Sequence, residues 1–226
     1  MNRMKRYAVY YAPEPGTFAV AATHWLGWDA AAARAVAQPI MPVPLADWTA
    51  EPRRYGFHGT LKPPFRLADK VAVADLIGAL ADLARDLPAV TLPGLELVEL
   101  DGFLALVPVG DPAQLTDLAA KVVVRLDRFR APLTEMEIAR RCPDRLTPRQ
   151  RSLLGAYGYP YVMEEFRFHL TLSGPLSAPD LAALRPLATD HFVPHLPNPF
   201  RIPDLCLFGE TEAGHFQLLH RYSLAG

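Results

Sequence analysis

Two short segments of the chain each carry a histidine and a threonine separated by one residue. The segments are GFHGTL at 56–61 and RFHLTL at 167–172. Both have the apolar neighbours of a β-strand, in which side chains alternate between two faces. The histidine and the threonine of each pair therefore share one face, opposite an apolar face. These residues are His58, Thr60, His169 and Thr171.

An imidazole and a hydroxyl on one strand face suit the chemistry of a phosphate ester. Imidazole titrates near neutral pH, so it can act as general base or general acid. A hydroxyl donates a hydrogen bond to a phosphoryl oxygen. Two such faces supply one base and one acid without a metal ion, so we predict catalytic roles for His58 and His169. We predict that Thr60 and Thr171 bind the phosphate in the same site. The sequence leaves open which histidine is the acid.

A cation would complete each polar face. If alternation continues along both strands, Lys62 joins the first face and Arg167 joins the second. Either side chain would offset the charge of a phosphate and of its transition state. We therefore predict that both bind substrate, although a solvated surface position is an equal alternative for Lys62, and a similar one for Arg167.

Aromatic and basic residues next to the motifs extend the candidate site. Arg54 and Tyr55 precede the first motif and either approach a ligand or cover the edge of the lobe. Tyr161 closes a run with Tyr157 and Tyr159 that either stacks on a base or belongs to a packed loop. We predict that Arg54, Tyr55 and Tyr161 bind substrate.

The arginines between 140 and 151 have two interpretations. They either form a patch for polyanions beside the cleft or line a solvated helix face, which is the commoner case. Neither motif contains a second histidine, cysteine or carboxylate at the spacing of a metal site. We therefore expect no metal and no cofactor.

Composition limits the class of protein. Half of the 226 residues are hydrophobic and the formal net charge is -1, which indicates a folded globular protein and argues against a general nucleic-acid coat. The basic start has too short an apolar run for a signal peptide, and no apolar stretch has the length of a membrane span. Cys142 and Cys206 are not spaced as a metal or redox pair. We expect a cytoplasmic protein with no membrane association and no obligatory protein partner.

The elements that must position the motifs follow from hydrophobic periodicity and from the prolines and glycines between segments. We predict strands at 6–12, 56–61, 94–100, 103–109, 166–172, 203–208 and 215–223. We predict helices at 17–37, 70–87, 111–130, 134–154 and 178–190. Asp101-Gly102 is typical of a hairpin turn. Helices interspersed with hairpins indicate an α+β fold.

The chain also shows signs of an internal duplication. GFHGTLKPPF and RFHLTLSGPL align, and the two histidines lie about half the chain apart. An amphipathic helix containing Asp-Leu follows each motif, at Asp75-Leu76 and Asp180-Leu181. We predict one bilobal domain, 1–226, with lobes of roughly 1–110 and 111–226 that can exchange strands.

The paired motifs resemble the 2H phosphoesterase superfamily. The strings RYGFHGTLKPPF and FRFHLTLSGPL, with QRSLLGAYGYPYV between them, are similar to its DUF1045 branch, which is linked to phosphonate metabolism. The resemblance covers nearly the whole chain. It implies a bilobal, duplicated α+β fold with antiparallel sheets, outer helices and a central cleft. It also implies catalytic roles for His58 and His169 and phosphate contacts from Thr60 and Thr171.

The leading hypothesis is a metal-independent phosphoesterase that opens a cyclic phosphodiester of a small cyclic nucleotide or ribose. One alternative is a regulatory module that binds a phosphorylated ligand without turnover. Another is an enzyme for RNA ends, either a 2′,3′-cyclic phosphodiesterase or ligase-like, which would need a continuous basic groove. The nearly neutral charge favours a small substrate.

Overall fold

The computed structural model describes residues 4–225. Its strands are β1 (Tyr7–Tyr11), β2 (Trp28–Asp29), β3 (Arg34–Ala35), β4 (Gly59–Phe65), β5 (Val90–Leu92), β6 (Gly94–Leu100), β7 (Phe103–Val109), β8 (Leu170–Thr171), β9 (Phe200–Ile202), β10 (Asp204–Glu210) and β11 (Phe216–Ser223). Its α-helices are α1 (Thr17–Leu26), α2 (Leu45–Trp48), α3 (Ala50–Arg53), α4 (Val73–Asp86), α5 (Ala113–Leu126), α6 (Glu135–Ala139), α7 (Pro148–Tyr157) and α8 (Ala178–Phe192). Short 3₁₀ turns cover Asp127–Phe129, Pro143–Arg145, Met163–Glu165 and Val193–His195.

Seven strands form one sheet in the order β11-β10-β1-β4-β8-β7-β6. Every neighbouring pair in this sheet is antiparallel. The predicted α+β class is therefore confirmed. Two further sheets have two strands each, β2 with β3 and β5 with β9.

The sheet mixes the two halves of the chain. The C-terminal hairpin β10–β11 joins the N-terminal strand β1, and β7 and β6, which precede residue 110, join the late strand β8. Each side of the sheet therefore contains strands from both halves of the chain. The proposed division into lobes of roughly 1–110 and 111–226, which can exchange strands, stays a prediction.

The two faces of β1 show how the sheet divides the interior. Tyr7, Val9 and Tyr11 point into the main core, which α1, α4, α5 and α8 also fill with leucine and phenylalanine side chains. Ala8 and Tyr10 point the other way, into a smaller cluster with Phe208 and Phe216. This second face of the sheet borders the candidate site.

The predicted helix at 17–37 is shorter at its C-terminal end, where α1 stops at Leu26. Gly27 adopts a left-handed conformation with φ 79°, and its N–H bonds the Thr23 carbonyl as a helix cap. The chain then forms the small hairpin β2–β3. The alanine run at 30–33 has the composition of a helix, but the hairpin and its turn occupy this stretch.

The predicted helix at 134–154 is also broken. α6 ends at Ala139, and Cys142 takes a left-handed conformation with φ 45° directly before Pro143. Proline lacks the N–H that a continuing helix would need. Thr147 then caps α7, because its side chain accepts a hydrogen bond from the Gln150 N–H. The break brings Arg141 to the cleft described below.

Two predicted strands differ in length, and two strands were missed besides β2 and β3. The segment at 166–172 forms a ladder only over Leu170–Thr171, whereas β4 runs on to Phe65. β5 and β9, three residues each, pair with one another across more than a hundred residues, which local patterning does not show. Within residues 4–225, every helix is too short or too polar to cross a bilayer.

Candidate active site

The two His-x-Thr motifs lie side by side at the centre of the sheet. Gly59 of β4 pairs with Leu170 of β8 in antiparallel register. This register places His58 opposite Thr171 and Thr60 opposite His169. Each imidazole therefore lies beside the hydroxyl of the other motif. The four side chains form a crossed arrangement that the sequence motif alone does not reveal.

Burial follows the predicted alternation through both motifs. Phe57, Gly59 and Leu61 are buried, and so are Phe168, Leu170 and Leu172. His58, Thr60, His169 and Thr171 are half-buried. The apolar side chains join the main core, so their packing holds the polar ones towards the opposite face.

The central residue distinguishes the two motifs, because the Phe168 ring packs closely against Gly59. A Cβ at this position would lie 2.2 Å from the Phe168 Cζ. Only glycine leaves room for this ring beneath β4. The second motif carries Leu170 at the equivalent position, where the side chain is fully buried.

His58 is enclosed by aromatic rings. Its imidazole stacks on Tyr10 with ring centroids 3.9 Å apart, and Tyr55 lies 5.9 Å away. Its Nδ1 lies 2.9 Å from the Gly56 carbonyl oxygen, which can only accept, so Nδ1 carries the proton. Burial lowers the pKa of His58 to about 4, and nearby His169 adds to that lowering. The neutral ring therefore presents an unprotonated Nε2.

His169 has the same backbone anchor in a different setting. Its Nδ1 donates to the Arg167 carbonyl oxygen at 2.8 Å, and Phe103 lies 5.6 Å from the ring. Burial lowers the pKa of His169, while the hydrogen bond to Arg167 and the charge of Asp101 oppose the lowering. A carboxylate thus favours the protonated form here, and no carboxylate within residues 4–225 acts this way on His58.

The histidines open into two adjoining cavities. The first has a volume of about 320 Å³ and contains His58, Thr60 and Thr171 on its lining. The second has a volume of about 350 Å³ and contains His169. Thr60, Pro63, Phe103 and Tyr159 line both. A ligand centred on Thr60 would contact both imidazoles.

The prediction for Lys62 is wrong. Thr60 pairs with Tyr10 and Lys62 with Val9, so two steps along β4 oppose one step along β1. This bulge at Leu61 reverses the alternation. Lys62 is 1% exposed, and its Nζ donates to the Val123 carbonyl oxygen at 3.2 Å and pairs with Asp127 at 3.3 Å. Its ammonium lies between β4 and α5 and not on the cleft.

The other predicted binding residues divide into two groups. Tyr55 lines the first cavity, and Arg167 and Tyr161 line the second. Tyr161 contacts Tyr159 edge to face, at 5.6 Å between ring centroids. Arg54 lies elsewhere: its guanidinium approaches Gly214, and it is absent from the lining of both cavities.

The sequence interpretation missed several residues of the first cavity. Tyr10 lies under His58, and Arg6 reaches the lining; Arg141 also reaches it, as one of the two interpretations of the arginines at 140–151 allowed. Arg6 forms an ion pair with Glu210 at 2.6 Å. The alternation of β1 could have placed Tyr10 on a defined face, but only the sheet order puts that face next to His58. Across residues 4–225, no three histidines, cysteines or carboxylates cluster as metal ligands.

Comparison with known proteins places this chain in a family. The model of DUF1045, described as a protein of unknown function, matches residues 60–217. The chain belongs to the DUF1045 family. The match includes Thr60 and the whole second motif.

Two curated relatives are similar over most of this chain. Both are named "Ribose 1,5-bisphosphate phosphokinase PhnN". The relative from Janthinobacterium sp. (strain Marseille) is 38% identical over 197 residues, which are 84% of this chain and 44% of the relative. The one from Laribacter hongkongensis (strain HLHK9) is 38% identical over 213 residues, 92% of this chain and 49% of the relative. The chain thus spans about half the length of these relatives.

Distant likenesses to solved structures extend over the whole chain. E. coli LigT complexed with 3′-AMP has 15% identity and a TM-score of 0.45, covering 99% of this chain and 100% of that one. TT0787 of Thermus thermophilus has 15% identity and a TM-score of 0.46, with 98% of each chain covered. Likenesses this distant carry nothing about a substrate.

Proposed function

We propose that this protein is a phosphoesterase that opens a cyclic phosphodiester, with His58 and His169 as its base and acid. The observation that carries the proposal is the crossed arrangement of two imidazoles and two hydroxyls around the Gly59–Leu170 pair. Both rings donate through Nδ1 to a backbone carbonyl two residues earlier. Both therefore present Nε2, the atom that can exchange a proton, on the polar face.

The surroundings of the two rings support a division of roles. His58 has a pKa lowered to about 4, so it is neutral near pH 7 and accepts a proton. Burial also lowers the pKa of His169, but Asp101 opposes this lowering and favours the charged form, which suits a proton donor. We assign His58 as general base and His169 as general acid.

The reaction balances with water as the only co-reactant. His58 Nε2 takes a proton as the water oxygen bonds to phosphorus. The bond from phosphorus to one ring oxygen breaks, and His169 Nε2 gives its proton to the departing alkoxide. Thr60 and Thr171 donate hydrogen bonds to the non-bridging oxygens, where negative charge develops. Proton exchange with solvent restores both rings.

The names of the relatives support a ribose phosphate as substrate. They are named for ribose 1,5-bisphosphate, and this chain matches only about half of each. Opening a 1,2-cyclic phosphate of ribose 5-phosphate at O2 leaves ribose 1,5-bisphosphate. We propose a ribose cyclic phosphate as the preferred class, ahead of a small cyclic nucleotide. The link to phosphonate metabolism stays a prediction.

A substrate screen tests this function. The panel contains ribose 5-phosphate 1,2-cyclic phosphate, 2′,3′-cyclic AMP and an RNA oligonucleotide with a 2′,3′-cyclic phosphate end, each followed by phosphorus NMR. We expect ring opening of a small substrate that persists in EDTA. His220→Ala, which changes an exposed histidine outside the cleft, serves as control. Full activity of His58→Ala would contradict the mechanism, and strict metal dependence would indicate another class of enzyme.

A further inference from the structure

The two cavities of the cleft differ in charge. The His169 cavity has Asp101, Glu165 and Arg167 on its lining, two carboxylates against one guanidinium. The His58 cavity has Arg6 and Arg141 against Glu51, and Arg6 is paired with Glu210, so the charges of this cavity balance. Glu51 lies beside Gly174 and, among the described residues, forms no ion pair with either arginine. An anionic group of a ligand is therefore better accommodated on the His58 side.

Tyr10 leaves a hydroxyl unpartnered in the His58 cavity. The residue is 1% exposed, yet it lines the cavity. Its hydroxyl forms no hydrogen bond with any residue between 4 and 225. Burial raises the pKa of Tyr10 well above its usual value, so the group stays a donor. Within residues 4–225 this hydroxyl is not among the side-chain atoms that are both enclosed and unpartnered, so it reaches the cavity and can donate to a ligand there.

Arg141 brings a free positive charge to the same cavity. Its guanidinium lies over the Tyr159 ring, 4.8 Å from the centroid. No carboxylate in the described part of the chain pairs with it, whereas Arg6 is already paired with Glu210. Burial also raises the pKa of Tyr159, so its hydroxyl remains a donor. Tyr10, Tyr159 and Arg141 thus present two hydroxyl donors and one cation.

We propose that Tyr10, Tyr159 and Arg141 form a subsite for a second phosphate of the substrate. The substrate class is then a cyclic phosphodiester that also carries a phosphomonoester. The cyclic group lies at Thr60, where the cavities join, and the monoester lies in the His58 cavity. The carboxylates of the other cavity are left to accept hydrogen bonds from sugar hydroxyls. The identity of the cyclic group rests on the proposed function, but the monoester subsite does not.

A binding experiment tests the subsite without any turnover. Ribose 5-phosphate is titrated calorimetrically into the wild-type protein, Arg141→Gln and Arg140→Gln. Arg140 is the matched control, because its guanidinium contacts Met136 and does not line either cavity. We expect Arg141→Gln to bind about 10- to 100-fold more weakly, the factor of one charge-assisted hydrogen bond, and Arg140→Gln to bind as the wild type does. Equal affinity in all three, or no binding to the wild type, would overturn the subsite.

A kinetic arm separates this subsite from the proposed reaction. The ratio of kcat/KM is measured for 2′,3′-cyclic AMP with and without a 5′-phosphate. We expect the ratio to favour the 5′-phosphorylated compound and to fall towards one in Arg141→Gln and in Tyr159→Phe. A wild-type ratio of one would also overturn the subsite. If neither compound is opened while the binding difference persists, the phosphate subsite stands and the hydrolytic function fails.

Discussion

The two His-x-Thr motifs are alike in sequence and in backbone geometry but differ in their surroundings. The first has glycine at its centre, lies on a seven-residue strand and stacks its imidazole on Tyr10. The second has leucine at its centre, pairs over two residues and places its imidazole near Asp101. The same Nδ1 anchor holds both rings. The difference shows how one motif, used twice, can give a base at one position and an acid at the other.

The largest effect should come from removing either imidazole. His58→Ala should lose about 10²- to 10⁴-fold in kcat on a cyclic phosphate, and so should His169→Ala, because each supplies one proton transfer. The two should separate on a p-nitrophenyl phosphodiester, whose leaving group needs no protonation. His169→Ala should then recover most of its activity and His58→Ala should not. Steady-state rates measure this, and the reverse pattern would exchange the two roles.

A second difference lies four residues after each histidine. Lys62 and Ser173 are both 1% exposed, but only Lys62 is ionisable. Burial lowers its pKa to about 8 from 10.5, against the opposing effect of Asp127. Between these pH values the unfolded chain binds more protons, so the free energy of unfolding should rise with pH, by on the order of 3 kcal/mol.

Urea unfolding from pH 7 to pH 10.5 measures this rise. Lys62→Met keeps the apolar stem and removes the charge, so its unfolding free energy should lack that increase. The wild-type and variant curves share every other titrating group. Parallel curves would show that Lys62 keeps an ordinary pKa in the folded protein.

Replacing the central glycine of the first motif should lower the stability of the fold. Gly59→Ala places a methyl group against the Phe168 ring, and overpacking of this kind destabilises by about 1–3 kcal/mol. Gly78→Ala is the matched control, because its Cβ would meet nothing within 4 Å on helix α4 and should stabilise by about 0.5–1 kcal/mol. Thermal unfolding compares the two. Rescue of Gly59→Ala by Phe168→Leu would assign the loss to the ring.

The smallest effect concerns the carboxylate near His169. The pH profile of kcat/KM should fall on the alkaline side as His169 loses its proton, below the ordinary pKa of 6.5. Asp101→Asn removes the charge that supports protonation, so this limb should move to lower pH. At fixed pH on the limb, activity should drop, because a smaller fraction of His169 then carries its proton. Glu99→Gln changes an exposed neighbouring carboxylate and is the control. An equal shift of the alkaline limb in this variant would show that Asp101 has no specific effect on His169.

The local sequence was sufficient to predict which side chains of each motif share the polar face. The reason is that alternation over three or four residues depends only on strand geometry. It failed at Lys62, because the bulge at Leu61 arises from the pairing of β4 with β1. It left Arg141 between two interpretations, because its place at the cleft depends on the break at Cys142. Tyr10 shows the same limit: its face follows from β1, but its neighbour follows from sheet order.

The crossed pairing of the motifs has a consequence for any division of the chain. Since His58 faces Thr171 and Thr60 faces His169, each reacting group and its phosphate anchor come from opposite segments. Neither segment alone holds a base and an acid, so separate fragments would each be inert. They would regain activity only when mixed, because their association restores the backbone pairing of Gly59 with Leu170 between β4 and β8.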